Sequence, residues 1–336
     1  MLCDPITRED LRLKNAVYDS DGRILGGSLV TTSGRQHKIE NGVPRFLPES
    51  ALSESVKSFG DEWNYFNFTE FRTNWLSHTV KNTFGSVDAF RSRMIVDAGG
   101  GSGSQTLWML EAGAKHVVML ELSNSVDDVV RRNLEQSGYR NYDVIQCSID
   151  APPLKSGSID GIVYCHNVIQ HTPSVEKTAK ALFDLVAPGG EFVFNCYPLN
   201  DRGILRWIRH HIVYRPLRQI LSAMPFRLIL AYAKVMGVLR QIPVFGVLLE
   251  KSGFCTRGDV PRTNQESAIR HLRKKYKATV LNTFDGFGSH AFQHQKSDYE
   301  IRSLLAELQP NEEKILNIDK YFTRPTPPGC ALRVFR

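Results

Sequence analysis

Three glycines and two acids set the chemistry open to this chain. Asp97 is followed at every second position by Gly99, Gly101 and Gly103, in the run Val96-Asp97-Ala98-Gly99-Gly100-Gly101-Ser102-Gly103-Ser104. A turn without Cβ atoms lets a ligand lie against the backbone. A helix opening directly after it aims unsatisfied N–H groups at that ligand. The spacing is not the GxGxxG of a dinucleotide fold, where phosphate sits at the helix; a carboxylate stands at the strand end instead. A second acid, Glu121, closes Val117-Val118-Met119-Leu120-Glu121, 22 positions after Gly99. An acid at about that distance can take both hydroxyls of a ribose. Three histidines could accept a proton: His171, in Asn167-Val168-Ile169-Gln170-His171-Thr172-Pro173, and His290 and His294, in Gly288-Ser289-His290-Ala291-Phe292-Gln293-His294. The six cysteines are scattered without a CxxC pair, so neither a metal site nor a disulfide framework is expected. They read as reduced cytosolic thiols.

These groups need a strand to end at Asp97 and another at Glu121. Short runs rich in Val, Ile and Tyr at 94–98, 117–122, 142–147, 159–165 and 191–197 predict strands. Helical stretches separate them, at 127–136 and at 175–186, where Leu182, Leu185 and Val186 form one apolar face. That alternation predicts an α/β domain with a parallel sheet covered by helices on both faces. A further helix is expected at 298–308 and two last strands at 314–318 and 331–335.

The turn at Asp97–Gly103 resembles motif I of class I, Rossmann-like methyltransferases that use S-adenosylmethionine (SAM). The resemblance continues in order. Gln146-Cys147-Ser148-Ile149-Asp150, Ala151-Pro152-Pro153-Leu154 and Ser158-Ile159-Asp160-Gly161-Ile162-Val163 resemble the family phrase "gDxxxLPFxxxsFDxV", with Ser148 in place of the usual acid and Asp150 as its substitute. Tyr164–Pro173 looks like the family's "vlqHtpdp" loop, and Val186–Glu191 like its "LkPGGxl" turn. The resemblance covers about residues 90–200 and implies a seven-stranded sheet. It implies SAM contacts at Asp97, Gly99, Gly101, Gly103, Glu121, Leu122, Ser148, Ile149, Asp150 and Asn167. Carboxylates there suit a ligand with an amino group and a sulfonium rather than a pyrophosphate. Methyl transfer is an in-line displacement that depends on alignment, and a hydroxyl acceptor also needs a base. His171 is the first candidate and His294 the second; His290 and His294 are also read as structural. There is no NPPY-type tetrad for amino methylation of DNA bases, and no cysteine stands in a motif for carbon methylation.

The rest of the chain divides around this core. Residues 1–50 are turn-rich, and Asn41-Gly42-Val43-Pro44-Arg45-Phe46-Leu47-Pro48 resembles the end of the zinc-ribbon-like module that precedes many bacterial methyltransferases. With Cys3 alone in that segment, a degenerate, metal-free version is expected. Ser58-Phe59-Gly60-Asp61-Glu62-Trp63-Asn64 resembles the family's "sFGxEW" phrase and reads as a helix that either packs on the core or lids the cofactor. The core is expected over 51–200, a basic helical cap over 201–296, and the completing helix and hairpin over 297–336.

The formal charge of +7 is concentrated. From Arg202 to Leu249 there is no Asp or Glu, against Arg202, Arg206, Arg209, Arg215, Arg218, Arg227, Lys234 and Arg240. Those arginines keep apolar company, as in Ile204-Leu205-Arg206-Trp207-Ile208-Arg209, which suits a cap, a site for a lipid, glycan or other small anionic acceptor, or peripheral contact with a membrane surface. A nucleic-acid binder would spread its basic residues over a face and stack aromatics. RNA methylation and SAM binding without turnover are the alternatives. No signal peptide and no spanning run of about 18 apolar residues are seen, so a cytoplasmic protein is expected, or one at the inner membrane face.

Overall fold

The computed structural model describes residues 1–47, 54–66, 68–199, 203–256, 267–288, 292–317 and 330–336. The chain forms two compact units: Met1–Pro198 with Phe292–Arg336, and Leu199–Ala291.

The first unit opens with four antiparallel strands, β1 (Arg12–Tyr18), β2 (Ile24–Val30), β3 (Gln36–Glu40) and β4 (Val43–Phe46). Helix α1 follows at Glu54–Tyr65, then short helical turns over 68–90. The core alternates as its pattern requires: β5 (Met94–Ala98), α2 (Ser104–Glu111), β6 (His116–Glu121), α3 (Val129–Glu135), β7 (Tyr142–Cys147), β8 (Ile162–Cys165), α4 (Val175–Phe183) and β9 (Glu191–Pro198). β5, β6 and β8 are apolar runs because both sheet faces are covered. One face packs Val96, Val118, Leu120, Leu182, Phe194, Ile301 and Leu305; the other packs Trp75, Phe90, Ile95, Trp108, Met119 and Val130.

The core sheet runs β7-β6-β5-β8-β9 in parallel. It is completed by antiparallel strands from the end of the chain. This is the expected Rossmann-like sheet. It does not stop at β7, however. β4 runs parallel to β7, with Arg45 opposite Gln146 and Phe46 opposite Cys147, so the N-terminal strands extend the core sheet.

Three boundaries differ from the sequence expectation. β8 starts at Ile162 and not at 159, because Gly161 runs against the backbone of Met94, whose carbonyl oxygen lies 1.8 Å from where a Cβ would stand. Ile159 makes only an isolated bridge to Val186. The helix expected from 127 is preceded by a 3₁₀ turn at Asn124–Asp127, and Asp128, at φ −114° and ψ −91°, breaks the run before α3. The helix from 175 ends at Phe183, and Leu185 and Val186 turn on into the glycines at 189 and 190.

The second unit contains α5 (Ile204–Ile208), a π-helical turn (Arg209–Tyr214), α6 (Arg215–Ser222), α7 (Phe226–Leu239), α8 (Pro243–Ser252) and α9 (Ala268–Phe287). α7 and α9 pack closely: a Cβ on Gly237 would stand 2.7 Å from Val280. Ile229, Ala233, Phe284 and Phe287 are buried, and buried Arg240 donates to Thr279 Oγ1 at 2.7 Å.

The chain then returns to the first unit through β10 (Gln295–Lys296), α10 (Asp298–Leu308), β11 (Glu312–Asn317) and β12 (Cys330–Phe335). β12 lies antiparallel between β9 and β11. Ser297 caps α10 in a reciprocal box with Glu300. Buried Glu191 accepts from Arg93 and Arg333, which fixes β12 to the start of β9. Residue 318, expected in the last hairpin, and Arg202 lie outside the described residues.

Candidate active site

β5 delivers the chain into the glycine turn, and the turn needs its glycines. Gly99 and Gly101 have φ of +82° and +59°, in the left-handed region that side chains disfavour. A Cβ on Gly99 would stand 2.4 Å from Val168, and one on Gly101 2.8 Å from the indole of Trp63. The Gly99 amide donates to the Leu120 carbonyl at 2.7 Å, which pins the turn to the end of β6. Gly103 (φ +76°) precedes the first turn of α2.

The two acids sit on either side of this turn, at the ends of adjacent strands. Glu121 is 6% exposed, and its oxygens accept from the amides of Gly101 and Ser123, each at 2.8 Å. Asp97 is 3% exposed and accepts from Thr106 Oγ1 at 2.6 Å. Burial pushes the Asp97 carboxyl up to about 6, with Glu121 beside it adding to the rise. Burial likewise raises Glu121. Among the described residues no lysine or arginine pairs with either. Two buried, unneutralised carboxylates around a Cβ-free turn suit a cationic ligand that carries hydroxyls, and do not suit a polyanion.

α1 covers the turn. Phe59 and Trp63 are four residues apart and so share a helix face. Trp63 meets Gly101, while Phe59 lies edge-on to His171, with ring centres 5.6 Å apart. Gly60 lets the helix close in: a Cβ there would stand 1.8 Å from Asn124 Oδ1.

The end of β8 forms the other side of the opening. Asn167 holds a left-handed conformation (φ +60°) and makes a reciprocal pair with buried Asn195: its amide donates to Asn195 Oδ1 and its Oδ1 accepts from Asn195 Nδ2, both at 2.6 Å. His171 follows, edge-on to Tyr197 at 5.7 Å. Its Nδ1 lies 3.2 Å from the Phe292 carbonyl. A carbonyl only accepts, so Nδ1 carries the proton and Nε2 the lone pair. His294 donates from Nε2 to the Thr172 carbonyl at 3.0 Å, and its amide donates to the Gln170 carbonyl at 2.8 Å. It therefore straps down the loop that carries His171. His290 lies outside the described residues.

Ser148, Ile149 and Asp150 form the turn after β7, with Ile149 buried and the other two half-buried. Leu122 is half-buried, and its carbonyl accepts from Gln146 Nε2 at 3.2 Å.

Two pieces of the site escape a reading by motif. Gln146 also donates to the Ser123 carbonyl at 3.1 Å and accepts from Arg45 Nη1 at 2.7 Å, while Arg45 Nη2 reaches Asp127 at 2.5 Å. Arg45 thus clamps the loop after Glu121 from β4. The second is His166, stacked on Tyr164, whose Nδ1 is buried without a hydrogen-bond partner. Burial pushes its imidazole down to about 4, so it stays neutral at physiological pH.

Residues 96–194 match a family described as a methyltransferase domain. The chain is 30% identical over 113 residues to a ubiquinone biosynthesis O-methyltransferase of Aromatoleum aromaticum, a match covering 34% of this chain and 47% of that protein. It is 25% identical over 134 residues to the protein of that name in Erwinia tasmaniensis, covering 40% and 51%. The chain thus spans about half the length of these curated relatives. Among solved structures it is similar to an S-adenosylmethionine dependent methyltransferase of Mesorhizobium loti, with 25% identity, 33% and 48% of the chains covered and a TM-score of 0.30.

Proposed function

We propose that this chain, whose residues 96–194 are a methyltransferase domain, moves the methyl group of SAM to a hydroxyl oxygen on a small amphipathic acceptor. The observation that carries this reading is the pair of buried carboxylates, Asp97 and Glu121, beside a turn whose residues 99–101 have no Cβ atoms. Bound SAM supplies a methyl group already activated by a positively charged sulfur. The chain's residues supply position. Glu121 accepts the ribose hydroxyls, with Leu122 beside it. Gly99, Gly101 and Gly103 admit the amino-acid portion, and Asp97 offsets its charge. Ser148, Ile149 and Asp150 edge the adenine. Asn167, locked to Asn195, shapes the opening, and Trp63 with Phe59 excludes water. His171 takes the acceptor's proton at Nε2, and His294 is a positioning residue that holds the His171 loop.

Oxygen as the methylated atom is favoured by the names of the curated relatives. An amphipathic or lipid-linked acceptor is favoured by the second unit. Ile204, Leu205, Ile212 and Val244 are each more than half exposed there, in a stretch rich in arginine and free of acids from 202 to 249. No helix among the described residues is long and apolar enough to cross a membrane, so the membrane contact we propose is peripheral, at an anionic surface. In the N-terminal segment, buried Asp4 gathers four polar partners. Burial alone would raise its carboxyl, but the Thr7 and Ile6 amides, His37 and Arg35 hold it well below the usual carboxylate range.

The test is release of S-adenosylhomocysteine from SAM over a panel of amphipathic phenols and glycolipids. Wild-type protein should turn over at least one class, and His171→Ala should lose about 10²–10⁴-fold in turnover with SAM affinity unchanged. SAM binding without release on any acceptor would identify a non-catalytic binding protein, and full activity in His171→Ala would remove the histidine from the chemistry.

A further inference from the structure

A cavity of about 860 Å³ lies between the N-terminal strands and the β7 edge of the core, and none of residues 97–104 lines it. Its walls are Leu13, Leu25 and Leu29 from β1 and β2, Val130 and Leu134 from α3, and Val144 from β7. Protein interiors pack at crystal-like density and leave few voids larger than a water molecule. This volume is in the range of sites that enclose small ligands. An apolar cavity does not hold ordered water well, but does accept apolar guests. Leu13 and Leu25 remain 39% and 43% exposed, so the cavity has an apolar entrance between the first two strands.

The charges around it decide what kind of guest fits. Most charged side chains in the lining already have a partner within the protein. Lys155 bonds Asp10 at 2.5 Å, Arg131 bonds Glu135 at 2.8 Å, and Asp143 faces His116 at 2.8 Å. Asp19 accepts from the amides of Asp21 and Arg23, while Arg23 lies over the Tyr142 ring and donates to the Arg140 carbonyl. A charged ligand would have to give up its water among leucines and valines and compete with these contacts for a partner.

We propose that this cavity is a second binding site, for a neutral molecule built on a long hydrocarbon chain. Its inner wall includes Val126 and Val130, which stand behind the glycine turn, with Val130 3.4 Å from where a Cβ of Gly103 would lie. It nevertheless stands apart from the cofactor site.

The experiment titrates the full chain with N-phenyl-1-naphthylamine, a neutral fluorescent probe, and then displaces it with dodecanol, laurate or dodecylammonium. Leu13→Trp and Leu25→Trp each place an indole in the cavity from a half-exposed position, and SAM calorimetry with thermal melts confirms that each variant is folded. The expected result is saturable probe binding, displaced by dodecanol at concentrations at least tenfold lower than by either charged analogue. Binding should weaken at least tenfold in each folded tryptophan variant. Absence of probe binding to the wild type, unchanged binding in a folded variant, or equal displacement by the charged analogues would overturn the proposal.

Discussion

Asp97 carries the clearest pH signature in the molecule. Its carboxyl ordinarily titrates near 3.8 and is pushed up to about 6 by burial, with Glu121 beside it. The fold therefore favours the protonated acid. Its contribution is fully present below pH 3.8, is lost as the pH rises through about 6, and above that the ionised carboxylate costs roughly 3 kcal/mol. Asp97→Asn keeps an acceptor for Thr106 and removes the charge. The variant should melt several degrees above the wild type at pH 8, with the gap closing towards pH 4, while its SAM affinity falls. Melting curves across that range check this, and a gap independent of pH would contradict it. The same buried charge that destabilises the free protein is what a sulfonium and an ammonium would find useful, so the cost in the fold and the gain in binding have one cause.

At the scale of elements, α1 is the part that closes over the turn. Trp63→Ala should weaken SAM binding about tenfold or more while lowering the melting temperature by only a few degrees, because Trp63 is half-buried and packs against the core without being one of its buried members. Indole fluorescence should change on adding SAM and stop changing in Trp63→Phe; a full response in that variant would place the change at another tryptophan. How legible each element was follows from the range of its causes. β5, the glycine turn and Glu121 could be read because strand pattern, missing Cβ atoms and a spacing of about 20 residues are local. The sequence does not decide between packing and lid for α1, since its role depends on which loop the helix meets. Arg45 and Gln146 were not read as a clamp because their contact requires β4 beside β7, a pairing between residues 101 apart that no pattern in either strand displays. Asn195 and His166 are likewise defined by neighbours across the sheet. The late start of β8 goes with the close approach of Gly161 to the Met94 backbone, which composition does not show.

On the scale of the whole molecule, charge and hydrophobicity are divided between the units. The second unit exposes Ile204, Leu205, Val244 and Leu248 in a region with arginine but without acid between 202 and 249. The proposed peripheral contact would draw on apolar area and positive charge together. The protein should co-sediment with vesicles containing phosphatidylglycerol and much less with phosphatidylcholine alone. High salt should weaken the binding, and Leu205→Ser with Val244→Ser should reduce it several-fold. Equal binding to both vesicle types would contradict a charge-dependent surface. SAM binding by the first unit is tested by calorimetric titration of SAM into wild-type protein and Glu121→Ala. A saturable exotherm is expected in the wild type and a loss of at least a hundredfold in affinity in the variant. No binding to the wild type, or equal affinity in a folded Glu121→Ala, would contradict it.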